Sequence, residues 1–155
     1  MNAELTIRPY RADDHGSLMS FLERVYAGMG YSFLPDTRHV DIRNIDDVYI
    51  NSRGCFHVVD VLGEIHGSVG VRQLSEETAE LKRLYLESAY RGKGLGHRLC
   101  VAAINDAELL KYRYLRLDTT LRSMEAIGLF RKLGFYEIPR YNANPDAQMF
   151  MEKTL

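Results

Sequence analysis

The run Arg91-Gly92-Lys93-Gly94-Leu95-Gly96 constrains the fold of this chain more than any other stretch. It stands between an apolar run, Leu81-Lys82-Arg83-Leu84-Tyr85-Leu86, and a helical pattern that begins near Gly94. Alternating glycines let the backbone take dihedrals closed to other residues and come close to a ligand. A helix N-terminus presents unpaired N–H groups and a partial positive charge, to which Arg91 and Lys93 add. A strand, this turn and a helix, in that order, make a cradle for an anion and above all for a phosphate.

Apolar spacing gives the neighbouring elements. Leu95, Leu99, Ala102, Ala103, Ala107 and Leu110 predict a helix of roughly four to five turns at ~3.6 residues per turn. Tyr114–Asp118 follows as a strand, and strand, crossover helix and strand imply a parallel pair at the middle of a sheet. Upstream, Glu4–Arg8 alternates polar and apolar as a first strand. Leu18, Phe21, Leu22 and Val25 form one helical face, with Asp13 or Asp14 as its cap and Gly28 and Gly30 as its end. A second short helix over roughly Val40–Asn51 is poorly marked.

Cys55–Leu62 and Glu64–Gln73 are β-type runs turned by Gly63, and Ser75–Thr78 leads into a third strand, Ala79–Leu86. These three pair antiparallel most economically. Ser123 can cap a helix over Met124–Leu133, which Gly134 stops. Two last strands, Phe135–Tyr141 and Gln148–Lys153, flank the turn-rich Asn142–Asp146. With no repeat or linker, the 155 residues read as a single domain, 1–155, large enough to bury a core.

A net charge of −1 argues against a general nucleic-acid binder. Lys82, Arg83, Arg91, Lys93 and Arg98 nevertheless make a local basic spot suited to a small polyanion. Cys55 and Cys100 have no CxxC spacing and read as buried free thiols of a reducing cytosol. His15, His39, His57, His66 and His97 show no metal-ligand spacing, so no metal is expected. There is no apolar signal segment and no run near the ~20 residues that span a bilayer, so a cytoplasmic protein without a membrane partner is expected.

Three phosphate motifs compete for the glycine turn. A P-loop requires Ser or Thr after its Gly-Lys pair, whereas Gly92-Lys93 is followed by Gly94. A dinucleotide fingerprint would use Gly94-Leu95-Gly96-His97-Arg98 but ends on Leu99, too large for close helix packing. Asp118 suits a ribose-binding acid, yet Glu87–Tyr90 is a longer loop than a dinucleotide turn allows. The third, R-x-x-G-x-G, is met in full by Arg91, Gly94 and Gly96. A tight loop with no ligand is the plainer reading of the same glycines.

With this motif the chain resembles the GNAT superfamily of acyl-coenzyme-A-dependent N-acyltransferases. Glu80–Leu86, Arg91–Gly96 and Ser123-Met124-Glu125-Ala126 through Phe130 to Gly134-Phe135 resemble the family's successive landmarks. The resemblance implies an α/β (α+β) fold: a mixed, mostly antiparallel sheet of six to seven strands, about four helices and a splayed parallel pair. It implies acetyl-CoA as co-substrate, its pyrophosphate on Arg91, Gly92, Lys93, Gly94, Leu95 and Gly96. Leu84, Tyr85 and Leu86 would hold the pantetheine arm by main-chain bonds, as an added strand does.

The Leu86 N–H would then meet the developing oxyanion, and Glu80 would be the base for the acceptor amine. Glu80 reads equally as an ordinary exposed strand residue. Ser123 stands where the family often has an Asn contacting pantetheine, though capping its own helix is as good a reading. Phe130 replaces the tyrosine that usually protonates the leaving thiolate, and Tyr141 or Tyr85 are the candidate substitutes. Tyr31, Phe33 and Tyr141 fall in the family's acceptor-binding segments and either wall an aromatic pocket or pack the core edge. The resemblance implies a small-molecule or peptide amine acceptor and leaves a homodimer open. The rival classes are a non-catalytic coenzyme A sensor and a dinucleotide-binding protein.

Overall fold

The computed structural model of the chain describes residues 4–155. Its first strand, β1 (Leu5–Pro9), pairs antiparallel with β2 (Cys55–Val61). β2 returns as β3 (Glu64–Gln73), and β3 as β4 (Thr78–Leu86), both antiparallel. The β2–β3 connection is the two-residue turn Leu62-Gly63, with φ of 54° and 87°. Two successive positive φ values match the twist of a hairpin, and the Asp60 carboxylate accepts the Gly63 N–H at 2.7 Å.

After β4 the chain crosses by helix α4 (Leu95–Leu109) to β5 (Tyr114–Thr119), parallel to β4. The helix α5 (Met124–Lys132) leads to β6 (Tyr136–Ile138), and β7 (Met149–Thr154) inserts between β5 and β6. The seven strands form one sheet in the order β1-β2-β3-β4-β5-β7-β6. Leu99, Cys100, Ala103 and Ala107 of α4 and Phe130 of α5 bury one face, against Val59, Val69, Val71, Leu115 and Leu117. The helix α1 (His15–Gly28) covers the other face, with Leu18, Phe21, Leu22 and Val25 against Phe56, Val58 and Ile65.

Local details depart from the sequence reading at four places. Asp14 does not cap α1 with its side chain; its carboxylate accepts both terminal nitrogens of Arg8 at 2.7 Å and the Arg11 N–H at 2.8 Å. The stronger charge-assisted bonds win over the helix cap. The poorly marked helix over 40–51 is two single turns, α2 (Val40–Arg43) and α3 (Ile45–Val48), interrupted at Asn44. The sixth strand is three residues long: Pro139 follows it without an N–H for the ladder, and the exposed Arg140 donates to the carbonyls of Asn144 and Ala147 in the loop beyond. Ser123 holds the N-cap position of α5 but makes no side-chain capping bond.

Gly54, just before β2, sits where a Cβ would lie 2.1 Å from the Val71 carbonyl oxygen and 2.6 Å from that of Tyr49. Both obstacles are backbone, so Gly54→Ala is expected to cost about 3 kcal/mol, read as a lower urea midpoint at unchanged slope. Gly128, in α5 with open space around it, provides the contrast: Gly128→Ala should raise stability by about 0.5–1 kcal/mol in the same assay.

Candidate active site

The parallel ladder between β4 and β5 is short. Thr78, Ala79 and Glu80 pair with Tyr114, Leu115 and Arg116, and beyond that point the strands part. The cause lies in β4. Between the Ser68–Tyr85 and Gly70–Lys82 pairs, Val69 faces two residues of β4, Arg83 and Leu84. Arg83 takes a left-handed φ of 57°, unusual for a residue with a side chain. A bulge of this kind bends its strand and resets the side-chain alternation.

The reset is visible in the contacts. Leu84 and Leu86 pack on the α4 side, whereas Lys82, Arg83 and Tyr85 join Glu80 on the α1 side. Arg83 holds the bulge from below with a bidentate pair to Asp41, at 3.0 and 2.7 Å. Tyr49 donates to the same carboxylate at 2.5 Å, and Arg83 donates to the Tyr26 hydroxyl, which pairs with that of Tyr85 at 2.6 Å. Burial alone would raise the Asp41 carboxyl, but the Arg83 bonds and charge prevail and hold it below its ordinary value. Burial and the Arg83 charge push His39 down, and its Nδ1 accepts the Leu34 N–H at 2.8 Å, as a neutral imidazole can.

At the open end of the split, the Glu87 N–H bonds to the His66 carbonyl at 3.1 Å. In an antiparallel ladder the neighbouring Gly67–Leu86 pair then turns its polar groups outward, so the Leu86 backbone faces the gap beside β5. Arg91 Nε donates to the Leu86 carbonyl at 3.1 Å. Gly92 and Gly94 have φ of 74° and 78°, and Gly94 is the N-cap of α4. They are required for backbone conformation, since a Cβ at either meets nothing within 4 Å. With glycine as N-cap and no acid in its first turn, α4 keeps its N–H groups without a side-chain cap, beside exposed Arg91 and Lys93. A cleft of about 320 Å³ lies next to this turn, lined by Leu86, Ser88 and Arg91 and by Arg24 and Met29 at the end of α1.

At the closed end sits Glu80, 1% exposed and therefore not an ordinary surface strand residue. Arg72 donates to its Oε1 at 3.0 and 2.9 Å, and Tyr141 to its Oε2 at 2.6 Å. Asn142 Nδ2 spans the two parted strands, 2.6 Å from Asp118 Oδ2 on β5 and 3.5 Å from Glu80 Oε2 on β4. The β6–β7 loop thus closes over the apex of the split. Asp146 of that loop also pairs with Arg38, and Arg122 donates to the Tyr31 hydroxyl at 2.9 Å.

The structure therefore brings Glu80 and Tyr141 together and sets Leu86, tied to Arg91 of the glycine turn, at the gap, while Tyr85 pairs with Ser68 in the ladder and turns its hydroxyl to Tyr26. Tyr31 is 47% exposed at the Arg122 contact, while Phe33 stacks on His39 at 5.3 Å, within the α1 layer. Tyr141 rests edge-on against Phe150 at 5.4 Å. Phe130 is buried in edge contact with Phe135 at 5.6 Å. Of the two tyrosines proposed to stand in for it, Tyr85 is bonded to Tyr26 and Tyr141 to Glu80. Burial, then the Glu80 charge, raises the Tyr141 phenol well above its ordinary value.

Sequence reasoning missed Arg72, and it placed Lys82 in a basic spot for a polyanion, Asp118 as a ribose-binding acid and Asn142 in a turn, without bringing them to the Glu80 end of the split. Only the i, i+2 spacing of Glu80 with Lys82, and of Arg116 with Asp118, signals that these pairs share faces. It also missed a grouping away from the split. Ligand atoms of Cys55, His57 and Asp106 lie within 4.8 Å of one another, with His57 Nε2 2.6 Å from Asp106. Burial and Asp106 raise the Cys55 thiol, and burial raises that of Cys100 to about 12.

A mixed sheet split at its parallel pair, with a glycine turn opening the crossover helix, defines an acyltransferase-type fold. A GNAT-family acetyltransferase from Staphylococcus aureus Mu50 shares it, with a TM-score of 0.88 over 97% of this chain and 99% of that one at 20% identity. The PaiA N-acetyltransferase of Thermoplasma acidophilum, solved in complex with coenzyme A, superposes with a TM-score of 0.72 over 98% and 99% at 19% identity. A sequence model of the acetyltransferase (GNAT) family matches residues 17–135, and the chain belongs to that family. Among curated relatives, the N-acetylaspartate synthetase of Danio rerio is 30% identical over 131 residues, 78% of this chain and 46% of the synthetase. The chain thus spans less than half the length of that relative.

The buried pair that secures the bulge can be tested directly. Asp41→Asn leaves the Arg83 guanidinium without its carboxylate and is expected to cost about 3–5 kcal/mol at pH 7. Because the folded Asp41 titrates below 3.8, its contribution is complete above that pH and fades as pH falls through the lower folded value. The stability gap between wild type and variant, measured by urea titration, should therefore hold at neutral pH and narrow only below pH 3.8.

Proposed function

We propose that the chain is an N-acetyltransferase that passes an acetyl group from acetyl-CoA to a primary amine by direct attack, as a single domain acting in the cytoplasm. The observation that carries this reading is the split itself: Leu86 backbone facing the gap, the glycine turn at its mouth and Glu80 at its apex. The N–H groups of Gly92–Gly96 would hold the pyrophosphate, with Arg91 and Lys93 offsetting its charge and the Ser123 hydroxyl, free of a capping bond, near the pantetheine. The edges of Leu84, Tyr85 and Leu86 would carry the arm as an added strand.

In the reaction the amine nitrogen bonds to the thioester carbonyl carbon and the carbon–sulfur bond breaks. The Leu86 N–H meets the oxyanion, so polarisation of the carbonyl calls for no metal. Glu80 receives the amine proton through an intervening water or the Tyr141 hydroxyl, since its own oxygens are already engaged. Sulfur departs as thiolate, which a thiol pKa of ~8.5 permits without an acid at position 130. The synthetase named above supports the reading by its name, whose product is an acetylated amine.

Release of free thiol from acetyl-CoA with a panel of amines tests the proposal. Glu80→Gln is expected to lower kcat about 100-fold with little change in the KM for acetyl-CoA. Joint replacement of Arg91 and Lys93 by Ala should raise that KM about 10-fold or more. An unchanged rate in Glu80→Gln removes Glu80 from the mechanism. Tight coenzyme A binding with transfer to no amine would favour instead a non-catalytic sensor, the alternative that the buried Phe130 motivates.

A further inference from the structure

The face that carries Glu80 is crowded with charge, and nearly every charge has its partner. Arg72 is committed to Glu80, Arg83 to Asp41, and Arg116 to Glu152 at 2.8 Å. Lys82 is the exception. Its side chain is only 17% exposed, yet its closest carboxylate oxygen, Glu80 Oε1, is 3.9 Å away, beyond hydrogen-bond length. Among the described residues, Nζ donates to no acceptor. No buried side-chain nitrogen or oxygen among the described residues lacks a partner, so Nζ keeps contact with solvent, and its three donors, unmet by the protein, stand open to a ligand. Burial lowers the Lys82 pKa and Arg83 and Arg72 add to it, against the opposing pull of Glu80 and, across the split, of Asp118.

Across the split, Asp118 has the complementary imbalance. Its oxygens accept only the neutral amides of Asn142 and Asn144, at 2.6 and 3.4 Å. One positive and one negative charge, neither hydrogen-bonded to an opposite charge and each within reach of the other's field, thus flank the apex where Glu80 sits. Lys82 lies two residues along β4 from Glu80, and Asp118 two along β5 from its register partner Arg116. A simple amine or polyamine would satisfy Asp118 and be repelled by Lys82. A zwitterion satisfies both.

Resting on the acetyltransferase reading, we infer that the acceptor is a free amino acid whose carboxylate is bound by Lys82 Nζ and whose amino group lies toward Asp118 and Glu80. The charge-assisted bond from Lys82 fixes the carboxylate end and so aims the nitrogen at the thioester. The amino group arrives as ammonium, gives up one proton before attack and a second as the amide forms. Both leave through the Glu80 end of the split.

The experiment compares free L-amino acids with their carboxamides as acceptors, using the full chain, acetyl-CoA and thiol release. The best amino acid should exceed its carboxamide in kcat/KM by about 30-fold or more. In Lys82→Met that ratio should collapse toward unity, chiefly through the KM for the amino acid, while Lys82→Arg, which keeps the charge, retains most of it. Lys82→Gln, polar but uncharged, should behave as Lys82→Met does, and serves if the latter fails to fold. Equal use of acid and carboxamide by the wild type overturns the inference, as does an undiminished ratio in the uncharged variants; the acetyltransferase reading survives either result. Transfer to no acid, carboxamide or peptide amine by a protein that binds acetyl-CoA defeats that reading itself, and the carboxylate site falls with it.

Discussion

Everything at the split follows from one residue held in a conformation it would not choose. Arg83 sits in left-handed backbone space, where a side chain costs about 1–3 kcal/mol. Glycine would adopt that φ freely, but glycine has no guanidinium to place under the sheet. The bidentate pair with Asp41, reinforced by Tyr49 and Tyr26, is what makes the conformation worth keeping. Strain and anchor are therefore one device. The anchor spends its binding energy on geometry, in keeping with the modest net stability that buried ion pairs provide.

That geometry divides the labour of β4. Before the bulge, the strand is an ordinary ladder member, and its pairing to β5 closes the apex around Glu80. After it, alternation is reset, so Leu84 and Leu86 anchor on the α4 layer while Tyr85 reaches down to Tyr26. The Leu86 backbone is left facing a gap instead of a neighbouring strand. Unpaired strand edges are normally a liability, and here the β6–β7 loop covers only the apex, through Asn142. The open stretch runs out toward the uncapped start of α4, and an extended ligand with an anionic end would pair both.

This architecture explains which parts were legible in the sequence. The Arg91–Gly96 turn could be read because its requirement is a backbone one, and glycine at Gly92 and Gly94 is the local signature of a positive φ. The succession of strands along the chain follows from apolar periodicity, with β3 spanning Glu64–Gln73 as read, whereas the insertion of β7 between β5 and β6 has no local signal. The bulge was invisible, since arginine where glycine is expected hides a left-handed residue. Asp14 stands at the N-cap position of α1, but a sequence that shows the acid beside the helix does not show Arg8 arriving from the first strand to take its carboxylate. Lys82 and Asp118 carry no motif; they matter through the partners they lack, a property of the packed molecule alone.

The two ends of the site also differ in how substitution can alter them. On the proposed reading the donor end would work through backbone N–H groups and the conformations that expose them, and so would accommodate the phenylalanine at position 130. A thiolate is a sufficient leaving group, and a buried Phe130 packed on Phe135 adds core instead of chemistry. On the proposed reading, the acceptor end would consist of side chains: Glu80 and Lys82 of β4, Asp118 of β5 and Asn142 of the β6–β7 loop. On that reading donor binding would rest on the same bulge and turn that make the fold, and acceptor choice would be superimposed on it by four charged and amide groups.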